Sequence, residues 1–159
     1  MKQNLTIGPI LALITGTVVS VHAGRANAPA ISQVTLLRTP NQGIQPQTVL
    51  DRDGVLHMIY VRGDASAGDI EYVRRKVYEK DFSEPIRVNR EPDSAVAIGT
   101  VRGPQMAIGR RGRVYVIWFG SRAQSGDFSD TMPVFFSRMN DSGTAFEPQR
   151  NLMQYAKRR

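Results

Sequence analysis

The sequence predicts an all-β fold: β-propeller blades of four antiparallel strands, in two repeats about 58 residues apart. Three observations predict it. Gln45–Tyr60 (QPQTVLDRDGVLHMIY) overlays Gly103–Trp118 (GPQMAIGRRGRVYVIW) at a constant offset of 58, so that Pro46 matches Pro104, Gln47 matches Gln105, Gly54 matches Gly112 and Ile59 matches Ile117. Past a longer loop, Ile70–Arg75 matches Val134–Met139 at an offset of 64, and Phe82 matches Phe146. No stretch of useful length after the N-terminal apolar run has the 3.6-residue period of an amphipathic helix. Self-similarity at a fixed period, with four short strands per period, is the pattern of propeller blades. A β-sandwich is the competing architecture, but it does not require two halves in such close register.

The chain of 159 residues divides into a signal peptide (1–28), a strand or linker (29–44), a first blade (45–102) and a second blade with a shortened end (103–159). Lys2 precedes fifteen mostly apolar residues, Ile7–Val21, and Val21-His22-Ala23 and Ala26-Asn27-Ala28 both fit a small-x-small cleavage site. This predicts an exported chain, secreted or periplasmic. The run is shorter than the roughly 20 residues of a spanning helix, so no stable membrane span is expected after cleavage. Within the first blade the strands are predicted at Thr48–Leu50, Val55–Val61, Ile70–Arg75 and Ile86–Asn89, where β-branched and aromatic residues gather. Turn residues at Asp51–Gly54, Gly63–Asp69 and before Phe82 mark the breaks. The second blade repeats the pattern at Met106–Ile108, Val114–Phe119, Val134–Arg138 and Gln149–Leu152.

The formal net charge is +7, and removing Lys2 and Arg25 with the leader lowers it to about +5. The basic residues form short scattered runs, with no basic stripe interleaved with aromatics, so nucleic acid is not an expected partner. A basic surface still attracts acidic polymers or acidic sugars. Cysteine is absent, so packing alone must hold the exported domain. No metal-ligand cluster, phosphate loop or nucleophile elbow is present, and no metal or cofactor is expected. His57 reads as a sheet residue.

From these residues the chain resembles the sialidase-like, or Asp-box (BNR) repeat, β-propeller family over about Leu36–Leu152. The carriers are the spacing from Pro46 to Gly54 and from Pro104 to Gly112, the strands that end in Tyr60 and Trp118, and the segments Gly68–Arg75 and Phe82–Asn89. Asp141, Gly143 and Phe146 fit the D-x-G-x-x-F core of an Asp-box, with Met139 where the family has Ser. The resemblance implies that the two repeats are part of a six-bladed propeller, a structural role for these three residues, and a glycan as ligand. It also implies a site at the opposite end of the blades, where the loops between the second and third strands of each blade share a face with the links between blades. There Arg62, Arg122 and Asp127 are the candidate substrate-binding residues, and Asp64 and Asp69 the candidate acids. Sialidases hold a substrate carboxylate with three arginines and use a Tyr nucleophile. Here Ile44 stands at the first arginine position, Arg38-Thr39-Pro40 mimics the motif six residues early, and the blades carrying the later arginines and the Tyr are absent. The expectation is an exported glycan-related propeller protein, incomplete or catalytically inactive; the alternative is a non-catalytic binding module, lectin-like or protein-binding, completed as a homo-oligomer.

Overall fold

The computed structural model describes Val34 and residues 36–98, 103–121 and 132–153. The predicted signal peptide, Arg122 and Asp127 lie outside the described residues. Leu36–Arg159 form one compact unit. Eight strands make it up: β1 (Ile44–Leu50), β2 (Val55–Asp64), β3 (Ala67–Lys76), β4 (Ile86–Arg87), β5 (Gln105–Ile108), β6 (Val114–Phe119), β7 (Val134–Arg138) and β8 (Arg150–Asn151). They form two antiparallel four-stranded meanders, β1-β2-β3-β4 (sheet 1) and β5-β6-β7-β8 (sheet 2). The fold of the described residues is all-β, as the periodicity predicts.

The two sheets share one register. Gln47 faces Ile59 as Gln105 faces Ile117, Tyr60 faces Glu71 as Trp118 faces Phe135, and Ile86 faces Tyr72 as Arg150 faces Phe136. The turns match as well. Asp51 N donates to Val55 O at 3.0 Å, and Gly109 N donates to Arg113 O at 2.8 Å. Gly54 and Gly112 close these turns with φ of 74° and 69°, a left-handed conformation that costs a side-chain-bearing residue about 1–2 kcal/mol. That is the physical reason both repeats keep glycine there.

One face of each sheet enters a common core. Ile59, Val61, Ile70 and Tyr72 of sheet 1 pack with Met106, Val114, Val116, Trp118 and Phe135 of sheet 2. The link between the sheets belongs to this core, with Ala95 and Ala97 buried in it and Ala95 bridging Gly68 and Gly120. The inner strands also touch through equivalent residues: Gln47 Nε2 donates to Gln105 Oε1 at 3.1 Å, and Met106 N donates to Gln47 Oε1. Phe146 lies edge-on against Tyr72, 5.7 Å between centroids, and so packs across the sheet–sheet contact.

The break expected over Gly63–Asp69 is far shorter. β2 runs to Asp64 and β3 starts at Ala67, leaving Ala65 and Ser66 as the turn. Gly63 and Gly68 are register partners, so no side chains crowd the tip. Asp64 Oδ1 accepts from Ser66 N at 2.7 Å and from Ser66 Oγ at 2.5 Å, which closes the hairpin locally. β1 also starts earlier than expected, at Ile44, with an irregularity between Ile44 and Gln47 around Pro46. No helix among the described residues is long and apolar enough to cross a membrane.

Candidate functional site

The hairpin β2–β3 and the link between the sheets meet at one end of the molecule. Gly68 and Ala95 exchange backbone hydrogen bonds at 2.9 Å, and Ala97 N donates to Ala65 O at 2.7 Å. Arg62 and Asp69 are direct cross-strand partners on this end. Because they sit on paired strands, the ladder fixes their backbones and they are not carried on the turn itself.

Around them lies a saturated polar network. Arg62 Nε donates to Glu71 Oε1 at 2.6 Å, while Tyr60 Oη and Asn41 Nδ2 donate to Glu71 Oε2 at 2.8 and 3.2 Å. Asp69 Oδ1 accepts from Asn89 Nδ2 at 2.8 Å and from Asp93 N at 3.0 Å. Asp69 Oδ2 lies 3.9 Å from Arg62 and 3.8 Å from Arg87. Asn89 in turn accepts from Ile70 N at 2.8 Å and donates to Glu91 O and Ser94 Oγ, so the network fastens the link to sheet 1. Tyr60 is fully buried; burial, then the hydrogen bond to Glu71, pushes its hydroxyl far above the ordinary phenol range.

The geometry separates Asp64 from this group. Its carboxylate binds Ser66, and those hydrogen bonds hold it below the usual carboxylate range. A carboxylate of that kind keeps its negative charge at neutral pH, the opposite of a general acid, whose pKa must be raised. Asp69 has its oxygens occupied by donors and cations. Two guanidinium groups, Arg62 and Arg87, face two carboxylates, Asp69 and Glu71, and the cluster balances its own charge. Ile44 pairs with Val61 at the start of β1.

At the opposite end of the sheets, a groove of about 740 Å³ runs between the end of β3 and the turns of sheet 2. Arg74, Arg110, Arg111 and Arg113 line it, against one carboxylate, Asp141. Arg110, Arg111 and Arg74 are exposed, and Arg111 holds φ of 63° in the turn Arg110–Gly112. Asp141 is ion-paired with Arg113. The turn that contains Asp141 is closed by its neighbour: Asn140 Oδ1 accepts from Thr144 N at 3.0 Å and from Ala145 N at 3.4 Å. Gly143 has φ of 69°, and a Cβ there would lie 3.8 Å from Arg74 Nη1, so sheet 1's arginine reaches the turn of sheet 2 that Asn140 closes.

Beneath the neighbouring turn a buried chain runs from Tyr72 Oη to His57 Nδ1 at 2.7 Å and from His57 Nε2 to Asp51 Oδ2 at 3.1 Å. Burial pushes Tyr72 up to about 12. The hydrogen bond from His57 is the largest of the effects that lower Asp51. The chain ties the β1–β2 turn to the sheet.

Sequence reasoning placed Arg62 and Asp69 on the same end of the fold but did not find Glu71, Arg87 or Asn89 beside them. It also did not find the arginine groove. Arg110 and Arg111 are adjacent in sequence, whereas Arg74 arrives from the other repeat. Among the described residues no group of three or more His, Cys, Asp or Glu could hold a metal ion. No family model, no curated protein and no solved structure matches the chain.

Proposed function

We propose that this chain is an exported, sialidase-like propeller module that binds acidic glycans without hydrolysing them, its two sheets being successive blades of a six-bladed architecture. The shared strand order and register of the sheets support the blade reading. The observation that carries the function is the groove at which four arginines face one carboxylate. Guanidinium forks match carboxylate and sulfate groups in two-point hydrogen bonds, and an excess of cations in a concave site draws in acidic polymers. At the other end, the hydrogen bonds and ion pairs of Asp69 and the lowered pKa of Asp64 leave neither of these two described candidate acids suited to protonate a leaving group, which supports the non-hydrolytic reading.

The test is titration calorimetry of the folded protein with an acidic oligosaccharide and with a neutral oligosaccharide of the same length. The acidic ligand binds, more weakly as salt rises. Arg110→Ala and Arg111→Ala each weaken it by about tenfold, equivalent to about 1.4 kcal/mol, while Arg62→Ala leaves it unchanged. Equal binding of neutral sugars, or wild-type affinity in both groove variants, overturns the groove. Hydrolysis of a fluorogenic sialoside above background overturns the non-hydrolytic reading.

A further inference from the structure

The arginine groove does not stop at the turns of sheet 2. A second cavity, of about 580 Å³, adjoins it, and Arg74 and Gly112 line both. A Cβ at Gly112 would meet nothing within 4 Å, so the join between the two is open. The second cavity lies at the end of β3, between the β1–β2 turn and residues 79–83. Those residues form a fixed wall. Ser83 N donates to Arg74 O at 2.8 Å, and Ser83 Oγ accepts from Arg74 N at 3.1 Å. Glu79 Oε2 accepts from Lys76 N at 2.8 Å, and the Arg75 guanidinium carbon lies 5.3 Å from the centroid of the Phe82 ring. A wall set before a ligand arrives costs little ordering on binding.

The two cavities differ in charge. In the groove four arginines face one carboxylate. In the adjoining cavity Arg74, Arg75 and Lys76 stand with Asp51, Glu79 and Asp81, three cations against three carboxylates. The His57 ring that also lines it is engaged by Asp51 and Tyr72. The groove therefore favours an anion, whereas the second cavity has no excess positive charge to draw another. What it presents instead is donors and acceptors side by side, with Lys76 and Asp81 both exposed. A sugar hydroxyl both donates and accepts, so it can use the ammonium and the carboxylate together. A second carboxylate or sulfate would be repelled by Glu79 and Asp81.

We infer that the two cavities form one site with two unlike places, and that its ligand is an acidic sugar joined to a neutral one. The acidic unit occupies the arginine groove, the neutral unit lies beside Lys76 and Asp81, and the linkage passes over Arg74 and Gly112. This rests on the groove reading above and narrows its ligand: acidic and neutral units in alternation fit, and consecutive acidic units do not.

Titration calorimetry of the folded protein at one ionic strength tests it with three ligands: an acidic monosaccharide, a disaccharide of that acid with a neutral hexose, and the diacidic disaccharide. The acid–neutral disaccharide binds about tenfold more tightly than the monosaccharide, the effect of a few added hydrogen bonds, and the diacidic one gains less. Lys76→Ala and Asp81→Ala each bring the acid–neutral disaccharide down to the affinity of the monosaccharide. These substitutions change the net charge in opposite directions, so a loss common to both reports contacts and not the long-range field. Three results overturn the inference and leave the groove standing: equal affinity for the monosaccharide and the acid–neutral disaccharide, tightest binding of the diacidic ligand, or a gain that survives either substitution. An acidic monosaccharide that fails to bind overturns the groove, and this inference with it.

Discussion

Tyr60 with Glu71 and Trp118 with Phe135 occupy the same register position in the two sheets, one pair polar and one aromatic. Trp118 and Phe135 pack with ring centroids 5.8 Å apart, inside the core that both sheets share. Tyr60 donates to Glu71, which also holds Arg62 and Asn41. A single backbone pattern therefore supports two different ways of filling a buried pair. Where a second sheet seals the position, aromatic area and dispersion stabilise it. Where strand residues meet the polar end of the molecule, a carboxylate is buried only because every donor around it is supplied.

The sharpest way to break the comparison is Trp118→Ala. Removing a fully enclosed indole between two sheets costs about 3–5 kcal/mol, read as a large fall in the denaturant midpoint. Glu71→Ala attacks the polar counterpart. It strands the buried Tyr60 hydroxyl and costs about 1–3 kcal/mol, and Tyr60→Phe in the same background recovers part of that loss. Recovery in the double variant distinguishes a hydrogen-bonded pair from simple packing. An equal loss in Trp118→Ala and Glu71→Ala, without recovery, refutes the distinction drawn between the sheets.

Gly54→Ala and Gly112→Ala test what the sheets have in common. Each forces a left-handed alanine and costs about 1–2 kcal/mol. The nearest atom a Cβ meets at Gly54 is Val77 Cγ2 at 3.9 Å, and at Gly112 there is none within 4 Å, so thermal melts should show near-equal shifts. The smallest effect is a pH dependence at the β1–β2 turn of sheet 1. The His57 hydrogen bond lowers the Asp51 pKa in the folded state. The stabilisation from this depression is therefore complete above the unfolded value of about 3.9 and is lost as pH falls through the lower folded value. Melts of Asp51→Asn should differ from wild type at neutral pH and converge with it in strong acid; a gap that widens on acidification would contradict the arrangement.

The strands were legible because alternation and β-branched runs are local signals, and the sheet register was legible because the repeat offset carries it. Gly54 and Gly112 announced their turns in advance. The hairpin tip was less legible. Gly63-Asp64 and Gly68-Asp69 have the composition of a loop, but glycines facing each other across a ladder let pairing continue to Asp64 and Ala67. Asp141 fitted its motif, while Asn140 closes the turn; a motif names positions and does not say which neighbouring side chain points at the free amides. Arg62 and Asp69 could be placed on one end, but Glu71 as the hub could not, since nothing in a sequence tells a buried strand carboxylate from an exposed one.

By itself the sequence determined the all-β class, the four-strand unit and its repetition at offsets of 58 and 64, because backbone sterics and side-chain alternation act within a few residues of each position. The tertiary structure decided which faces are sealed, which carboxylates are saturated, and that Arg74 comes to Arg110, Arg111 and Arg113 at one groove. Those outcomes depend on how two sheets approach each other, and side chains more than 30 residues apart meet only when that packing brings them together.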